Sequence, residues 1–590
     1  MTGTRPQVWL RDRAARGKMS FLARTAGRFR ATASAFVARH GRFAAISIML
    51  LHLAAAAIML WYEVTLYAAA VYVLTWALLN FFFLVLLRRA AIAATLSLVI
   101  VAVLVALSEF KYAALWLQLS FVDLMIVDTD TVDYVLTIFP WLGWVVVAFA
   151  AVLLPLLVLI WWLDPIRVRM RYALAGFAFC LTALVALCSA VELNPLEGYH
   201  GNKYVSFFTR TAVLSVHELM THGMMESDEA VAESLKPLAA SAVACHPARK
   251  PPHIILVHDE SSFDIRSAPG IRVPAGYGEH FKSFDGQQRK FLVEGVGGPS
   301  WYAEYSVLTG LSARSFGRFS YFVTRIAAGR VLRGLPNALR RCGYTTRTIY
   351  SALGAFMGER SFHTNIGVQK FRDMNDMRSD EFELDDYYYN KAIEALGRDH
   401  TQGPVFLYVY LAFNHYPWYE RWRADALPHW KELDNPPLVE EYLRRQTMSA
   451  QYYEAFKADL ARKFPNEQFL LVRYGDHQPD FSPTILEPSL NRAEIALRVQ
   501  KFDPKYYTTY YAIDAINFKP VDLSSAASTL DGPYLPLVIQ EAAGLPLDPS
   551  FVEQKNIMHR CNGIFYACAA GAEARRFNRL LIDAGLIKQL

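Results

Sequence analysis

Three short apolar runs in the second half of the chain end in side chains able to do chemistry. HIILVHDESS delivers Asp259 and Glu260, FLYVYLAF followed by NHYP delivers His415, and QFLLVRYGDHQPD delivers Asp476 and His477. Two carboxylate-bearing ends and an imidazole can hold a divalent cation or carry out acid–base chemistry. Each has a plainer reading alone: the GDH aspartate could cap a turn, and His415 could be structural. Their shared position at the ends of three apolar runs favours one common site. A fourth segment, GVGGPSWYAEYSVLTGL (295–311), places Ser300 between a tight turn and a helix. A serine at a helix N-terminus lies near free backbone N–H groups that stabilise an oxyanion or phosphate. It could equally be a capping residue contributing about 1 kcal/mol; the segment alone leaves both readings open.

Each apolar run reads as a buried strand whose polar residues sit at its carboxyl end. Helical stretches, for example 386–397 and 439–463, lie between them. Strands alternating with helices predict an α/β domain with a mostly parallel sheet and flanking helices. Ligands of such sheets bind at the carboxyl ends of the strands, where these residues lie.

The first third of the chain is different. Five charge-free stretches, 43–62, 64–87, 90–108, 134–163 and 172–191, are each long enough to cross a bilayer, which takes about 20 residues. The fourth is over-long, and Pro140 marks the expected start of its helix. Residues 119–133 mix apolar and acidic side chains and read as an interfacial or re-entrant segment. Residues 1–42 hold ten Lys or Arg against one acid, Asp12, a cytoplasmic tail more basic and longer than a signal peptide requires. Arg88 and Arg89, and Arg167, Arg169 and Arg171, fall on the same side as that tail if there are five spans, so the α/β domain is exported. The expected organisation is a basic tail (1–42), a five-helix transmembrane domain (43–192), a linker with an amphipathic helix lying on the membrane surface (193–250), an exported catalytic domain (251–545) and a C-terminal helical tail (546–590). His217 and His222 in the linker are five residues apart and are not expected to pair on zinc.

Composition agrees with this division. Hydrophobic residues make up 53% of the 590 and charged residues 19%, against about a quarter charged in soluble domains. That excludes disordered, collagenous and disulfide-scaffold classes. A net charge of +6 gives no case for nucleic acid as a partner. Six cysteines without a CxxC pair give no zinc ribbon. Cys245, Cys342, Cys561 and Cys568 lie in the exported part, where disulfides can form. Cys561 and Cys568 are close enough in sequence to pair or to be two buried thiols.

In this order VHDES, GGPSWYAEYSVLTG, NHYP and YGDHQPD, behind five spans, resemble the lipoteichoic acid synthase group. That group sits with the periplasmic glucan phosphoglycerol transferases and the lipid A phosphoethanolamine transferases in the alkaline phosphatase and sulfatase superfamily. The resemblance covers about 250–540 by motif and the membrane part by topology. It implies that Glu260, Ser300, Asp476 and His477 hold a divalent metal, Mn²⁺ first with Mg²⁺ or Zn²⁺ as alternatives, and that Ser300 is the nucleophile where relatives commonly carry Thr. His415 would contact the phosphoryl group or serve the leaving or entering oxygen as acid or base. MGERSFHTNIGVQKF (357–371) resembles a stretch that shapes the synthases' substrate pocket. Arg360 there is a phosphate-contact candidate, although the Trp-Asn-Arg pattern is not cleanly present. Glu304 also matches the family and is expected to be structural. Trp301, beside the nucleophile, is a substrate-contact candidate or simple packing.

The implied enzyme sits in a bacterial cytoplasmic membrane with its N-terminus inside. It moves a phosphoglycerol, or phosphoethanolamine, head group from phosphatidylglycerol or phosphatidylethanolamine through a phospho-serine to a glycan or glycolipid outside the cytoplasm. The rival readings are hydrolases of the same superfamily. A phosphodiesterase would use water as acceptor. A sulfatase would need C/S-x-P-x-R, and Trp301-Tyr302-Ala303-Glu304 supplies neither the Pro nor the Arg.

Overall fold

The computed structural model describes residues 41–588 apart from 116, 192, 194–196, 199–200, 229–244, 246, 248 and 428. The basic tail, save its last two residues, and much of the linker lie outside the described residues. The chain divides into two compact units, one of Met1–Met125 with Phe139–His217, the other of Ile126–Ile138 with Glu218–Leu590.

The first unit contains five helices long and apolar enough to cross a membrane: α1 (Gly41–Tyr62), α2 (Leu66–Leu87), α3 (Ala90–Leu115), and, after the short α4 (Phe121–Ile126) and α5 (Thr129–Ile138), α6 (Trp141–Leu163) and α7 (Met170–Ser189). Their ends are set by local chemistry. The Thr65 hydroxyl accepts from the Ala68 N–H and opens α2. Pro140 precedes α6, where its missing N–H costs no helical bond. Asp164, at the end of α6, accepts from the N–H groups of Ala91 and Ile92 at 2.8 and 3.3 Å and so caps α3. The acidic stretch 119–133 is not a span: it forms α4 and the start of α5. The described helix of the linker is α8 (Tyr204–Thr221). Gly223, with a left-handed φ of 77°, follows its last turn and closes it. His217 is thus inside α8 and His222 beyond it.

The second unit is built on one sheet of eight strands: β1 (His253–Asp259), β2 (Arg289–Leu292), β3 (Thr345–Tyr350), β4 (Lys370–Arg372), β5 (Val405–Tyr410), β6 (Phe469–Gly475), β7 (Thr508–Ile516) and β8 (Thr529–Asp531). Their order is β4-β3-β5-β1-β6-β7-β2-β8. Five of the seven neighbouring pairs are parallel, and both antiparallel pairs involve β7. The sheet is therefore mixed, with a parallel centre. β1, β5 and β6 are buried along their whole length, which is why they read as continuous apolar runs. Their carboxyl ends are level: His258 pairs with Tyr410 on one side, and Asp259 pairs with Gly475 on the other.

Four helices bear on the central strands or on their carboxyl ends: α9 (Ser300–Thr309), α10 (Glu359–Asn365), α11 (Asp385–Asp399) and α12 (Pro437–Lys463). α11 and α12 bury Tyr388, Leu396, Phe456 and Leu460 against Ile255, Val257, Leu407 and Leu471 of the central strands. The C-terminal segment forms two helices, Pro549–Arg560 and Ala572–Asp583. It is tied to the domain by Arg333, which donates to Ser550 Oγ, Gln554 Oε1 and the carbonyl of Thr309 at the end of α9. Two disulfides close loops in this unit, Cys245–Cys342 and Cys561–Cys568.

Gly475 ends β6 where the chain after β1 turns over it. A Cβ built there would lie 1.8 Å from the backbone carbonyl oxygen of Ser262, which no side-chain adjustment can relieve. Gly475→Ala is expected to destabilise the domain by about 3 kcal/mol or more, whereas Gly298→Ala, which meets open space, is tolerated. Chemical denaturation of the two variants checks this.

Candidate active site

The site is assembled where the level carboxyl ends of β1 and β6 meet the first turn of α9. Along β1, alternate side chains share a face. His258 and Glu260 point one way, and Asp259 the other, where it binds His280 Nε2 at 3.0 Å and Tyr510. Asp259 is accordingly a structural residue. Its neighbour Glu260 is buried beside the residues that follow β6.

Ser300 is the first residue of α9, and the capping position belongs to Pro299, which offers no side-chain cap. The Ser300 hydroxyl is therefore not spent on the helix terminus. It donates toward Glu260 Oε2 at 3.2 Å and lies 3.2 Å from His477 Nε2. His477 Nε2 is in turn 3.4 Å from Glu260 Oε1 and 3.3 Å from Asp476 Oδ2. Glu260, Ser300, Asp476 and His477 thus converge, and all four are buried.

Their orientations are fixed from behind. Asp476 Oδ1 accepts from the Ser261 and His477 N–H groups at 2.7 and 2.8 Å. The Tyr410 hydroxyl, at the end of β5, donates to Glu260 Oε2 at 2.7 Å, and Ser261 Oγ donates to Oε1 at 2.8 Å. Ser261 holds a φ of 50°, a sparsely populated region for a residue with a Cβ and one found at functional sites. His477 Nδ1 lies 2.9 Å from the Gln478 carbonyl oxygen, which can only accept, so Nδ1 carries a proton and Nε2 faces the site.

Charge and burial compete here. Burial disfavours the Glu260 carboxylate, yet its contact with His477 holds the carboxyl well below the usual range. Burial also works against a charged His477, but the carboxylates of Asp476 and Glu260 outweigh it and push the imidazole up to about 9.

One member of the cluster was not picked out from the sequence. His258 Nε2 faces Asp476 Oδ2 at 3.1 Å, and neither atom has an aligned hydrogen bond among the described residues. One ligating atom each of His258, Glu260 and Asp476 lies within 4.8 Å of the others. The other ring nitrogen, Nδ1, is held by the hydroxyls of Tyr408 and Tyr474 at 2.7 and 2.9 Å. The signal was there: His258 is two residues before Glu260 in a strand, hence on its face.

The remaining candidates lie around this centre. His415 makes no hydrogen bond to the four, but its charge is near enough to lower the Glu260 pKa. Its Nδ1 lies 2.7 Å from the Tyr416 carbonyl oxygen, leaving Nε2 unengaged by it. With Phe382, Trp422, Arg421, Arg423 and Arg445 it lines a cavity of about 300 Å³. Arg360 is held by Asp373 and Asp376 at 2.7 and 2.6 Å. Trp301 is buried, with its Nε1–H donating to the Tyr321 carbonyl at 2.7 Å and its ring edge-on to Phe356.

The family model described as Sulfatase matches residues 300–510. Comparison with curated proteins returned no match. Among solved structures, the chain is similar to the phosphoglycerol transferase GacH of Streptococcus pyogenes, with 14% identity over 62% of this chain and 97% of that one and a TM-score of 0.47. It is also similar to the lipoteichoic acid synthase LtaP of Listeria monocytogenes, with 16% identity over 50% and 73% and a TM-score of 0.38. A third similar structure is the lipooligosaccharide phosphoethanolamine transferase EptA of Neisseria meningitidis, with 11% identity over 77% and 88% and a TM-score of 0.39. The α/β unit carries a sulfatase-family domain whose matched segment opens on Ser300.

Proposed function

We propose that this chain is a membrane-anchored, metal-dependent phosphotransferase that takes a head group from a phospholipid onto Ser300 and passes it to a glycan or glycolipid outside the cytoplasm. Phosphatidylglycerol is the first choice of donor and phosphatidylethanolamine the second. One observation carries this reading: a helix-initial serine hydroxyl that caps nothing and lies 3.2 Å from both a buried carboxylate and a buried imidazole.

The donor set fits a divalent cation. Glu260, Ser300, Asp476 and His477 offer three oxygens and an imidazole, and His258 Nε2 and Asp476 Oδ2 are buried polar atoms without aligned partners. Such a set suits Mn²⁺, with Mg²⁺ or Zn²⁺ as alternatives. When bound, the cation would lower the pKa of the serine hydroxyl and draw charge from a phosphoryl oxygen. The chain's own residues do the rest. Tyr410 and Ser261 keep Glu260 aimed at Ser300 Oγ. The Oγ–P bond forms as the bond from phosphorus to the diacylglycerol oxygen breaks. The serine proton has acceptors at 3.2 Å in Glu260 Oε2 and, when neutral, His477 Nε2. The departing oxygen takes up a proton from His415 Nε2, and the acceptor hydroxyl returns one to it in the second step. Five membrane-length helices in the same chain support a lipid donor, and the clusters Arg88–Arg89 and Arg167–Arg171 support an exported domain.

Two measurements test this reading. Full-length protein with Mn²⁺ and phosphatidylglycerol vesicles is expected to release diacylglycerol, and Ser300→Ala to reduce that release by a factor on the order of 10³ or more. Release unchanged in Ser300→Ala contradicts the scheme. Phosphatidylethanolamine vesicles test the head group, and free glycerol phosphate formed at full rate without acceptor identifies a hydrolase.

The second concerns pH. With the His477 pKa at about 9 in the metal-free domain, cation binding at neutral pH must displace its proton. Affinity is expected to rise about tenfold per pH unit from 7 toward 9 and then level off. The stabilisation that protonated His477 gives the metal-free domain has the opposite sign: it is complete below the unfolded pKa of about 6.5 and is lost as pH rises through 9. Calorimetric titration in buffers of different ionisation enthalpy measures the released proton. A pH-independent affinity contradicts the assignment of His477 as a ligand.

A further inference from the structure

A second buried cluster lies one helical turn from the nucleophile. Glu304 is on α9, four residues after Ser300. Glu359 and His363 are four residues apart on α10 and so share a face. All three are fully buried. One ligating atom from each lies within 4.8 Å of the others. His363 Nε2 is in direct contact with Glu304 Oε1, and its Nδ1 lies 3.0 Å from the Thr348 hydroxyl oxygen. The Thr348 hydroxyl can accept from Nδ1–H, which would leave the Nε2 lone pair for an ion, the usual support of a metal-bound imidazole. The Tyr350 hydroxyl donates to Glu304 Oε2 at 3.5 Å.

Glu359 is the anomaly. Both of its carboxylate oxygens are buried with no hydrogen-bond partner among the described residues. The Thr324 hydroxyl beside α10 donates to the Met357 carbonyl, and Arg325 is engaged by Asp128 and the Ala355 carbonyl. Burial and the neighbouring Glu304 push the Glu359 carboxyl well above its usual range. A buried carboxylate left without partners is costly and is found chiefly where something binds it. With the Glu359 proton released, two carboxylates and one neutral imidazole would carry a charge of −2, which a divalent ion balances.

We propose that Glu304, Glu359 and His363 form a second divalent-cation site, distinct from the one at Ser300, that takes a first-row ion such as Zn²⁺. The ion would pin α10 to α9 one turn from Ser300 and so act as a positioning element for the helix that carries it. The site stands whether or not Ser300 proves to be the nucleophile.

The test is metal stoichiometry in the untagged full-length protein, stripped, reloaded with Zn²⁺, desalted and measured by elemental analysis. The wild type is expected to retain two equivalents per chain. Glu260→Gln with Asp476→Asn, which removes the first site, is expected to retain one. Adding Glu359→Gln and His363→Gln to that background is expected to reduce it to none. A background variant that retains no metal overturns the proposal and leaves the cluster holding a proton. One equivalent retained after the added substitutions overturns it as well, since the ion then lies elsewhere. Should the fourfold variant not fold, thermal melting of the Glu260→Gln, Asp476→Asn protein decides: Zn²⁺ is expected to raise its melting temperature, and no shift overturns the site.

Discussion

Glu260 and Asp476 lie side by side in the protein interior, at the level ends of two adjacent parallel strands, and burying those two carboxylates is the constraint around which the α/β unit is arranged. An isolated buried carboxylate is expensive, and it is kept only when hydrogen bonds and opposite charge compensate it. The compensation comes from several places in the chain. Backbone N–H groups of Ser261 and His477 bind Asp476. Tyr410 and Ser261 bind Glu260. His258 and His477 supply the imidazoles. The turn after β1 must pass so close to β6 that only glycine fits at 475. Apolar residues of similar volume would avoid that cost, so stability alone does not account for the arrangement.

The two acidic clusters share a wall of tyrosines. Tyr410 donates to Glu260, and its ring centroid lies 4.8 Å from that of Tyr350, whose hydroxyl reaches Glu304. Tyr408 touches His258 through its hydroxyl and His363 through its ring. Alternate residues of β3 and β5 therefore line both clusters. α9 bridges them, with Ser300 in one and Glu304 in the other. Its far end is tied by Arg333 to the C-terminal helices, so that segment braces the helix that opens on Ser300 from the end opposite the site.

Much of this was legible in the sequence because the central strands are buried on both faces. Such strands appear as unbroken apolar runs, and their polar ends advertise the site. The membrane-length helices were legible because they are apolar on every side over more than eighteen residues, and Pro140 marked the start of α6. The edge of the sheet was not: β2 and β8 are three or four residues long, too short for a pattern to emerge. The bounds of α8 were not legible either, because the left-handed turn at Gly223 that follows it has no periodic signature in the sequence. Arg360 looked available for phosphate, but Asp373 and Asp376, a dozen or so residues downstream, engage it once β4 turns the chain. Glu359 and His363 carried no signal, since a four-residue spacing occurs on any helix. Only their meeting with Glu304, 55 residues earlier, singles them out.

The central claim is that Ser300 carries the transferred group, and the most direct measurement is where the group goes. Full-length protein would be mixed with phosphatidylglycerol and Mn²⁺, quenched in acid, digested and examined by mass spectrometry. A single phosphoglycerol adduct on the peptide containing Ser300 is the predicted result. An adduct on another residue would contradict the claim. So would continued lipid turnover by Ser300→Ala with no adduct in the wild type.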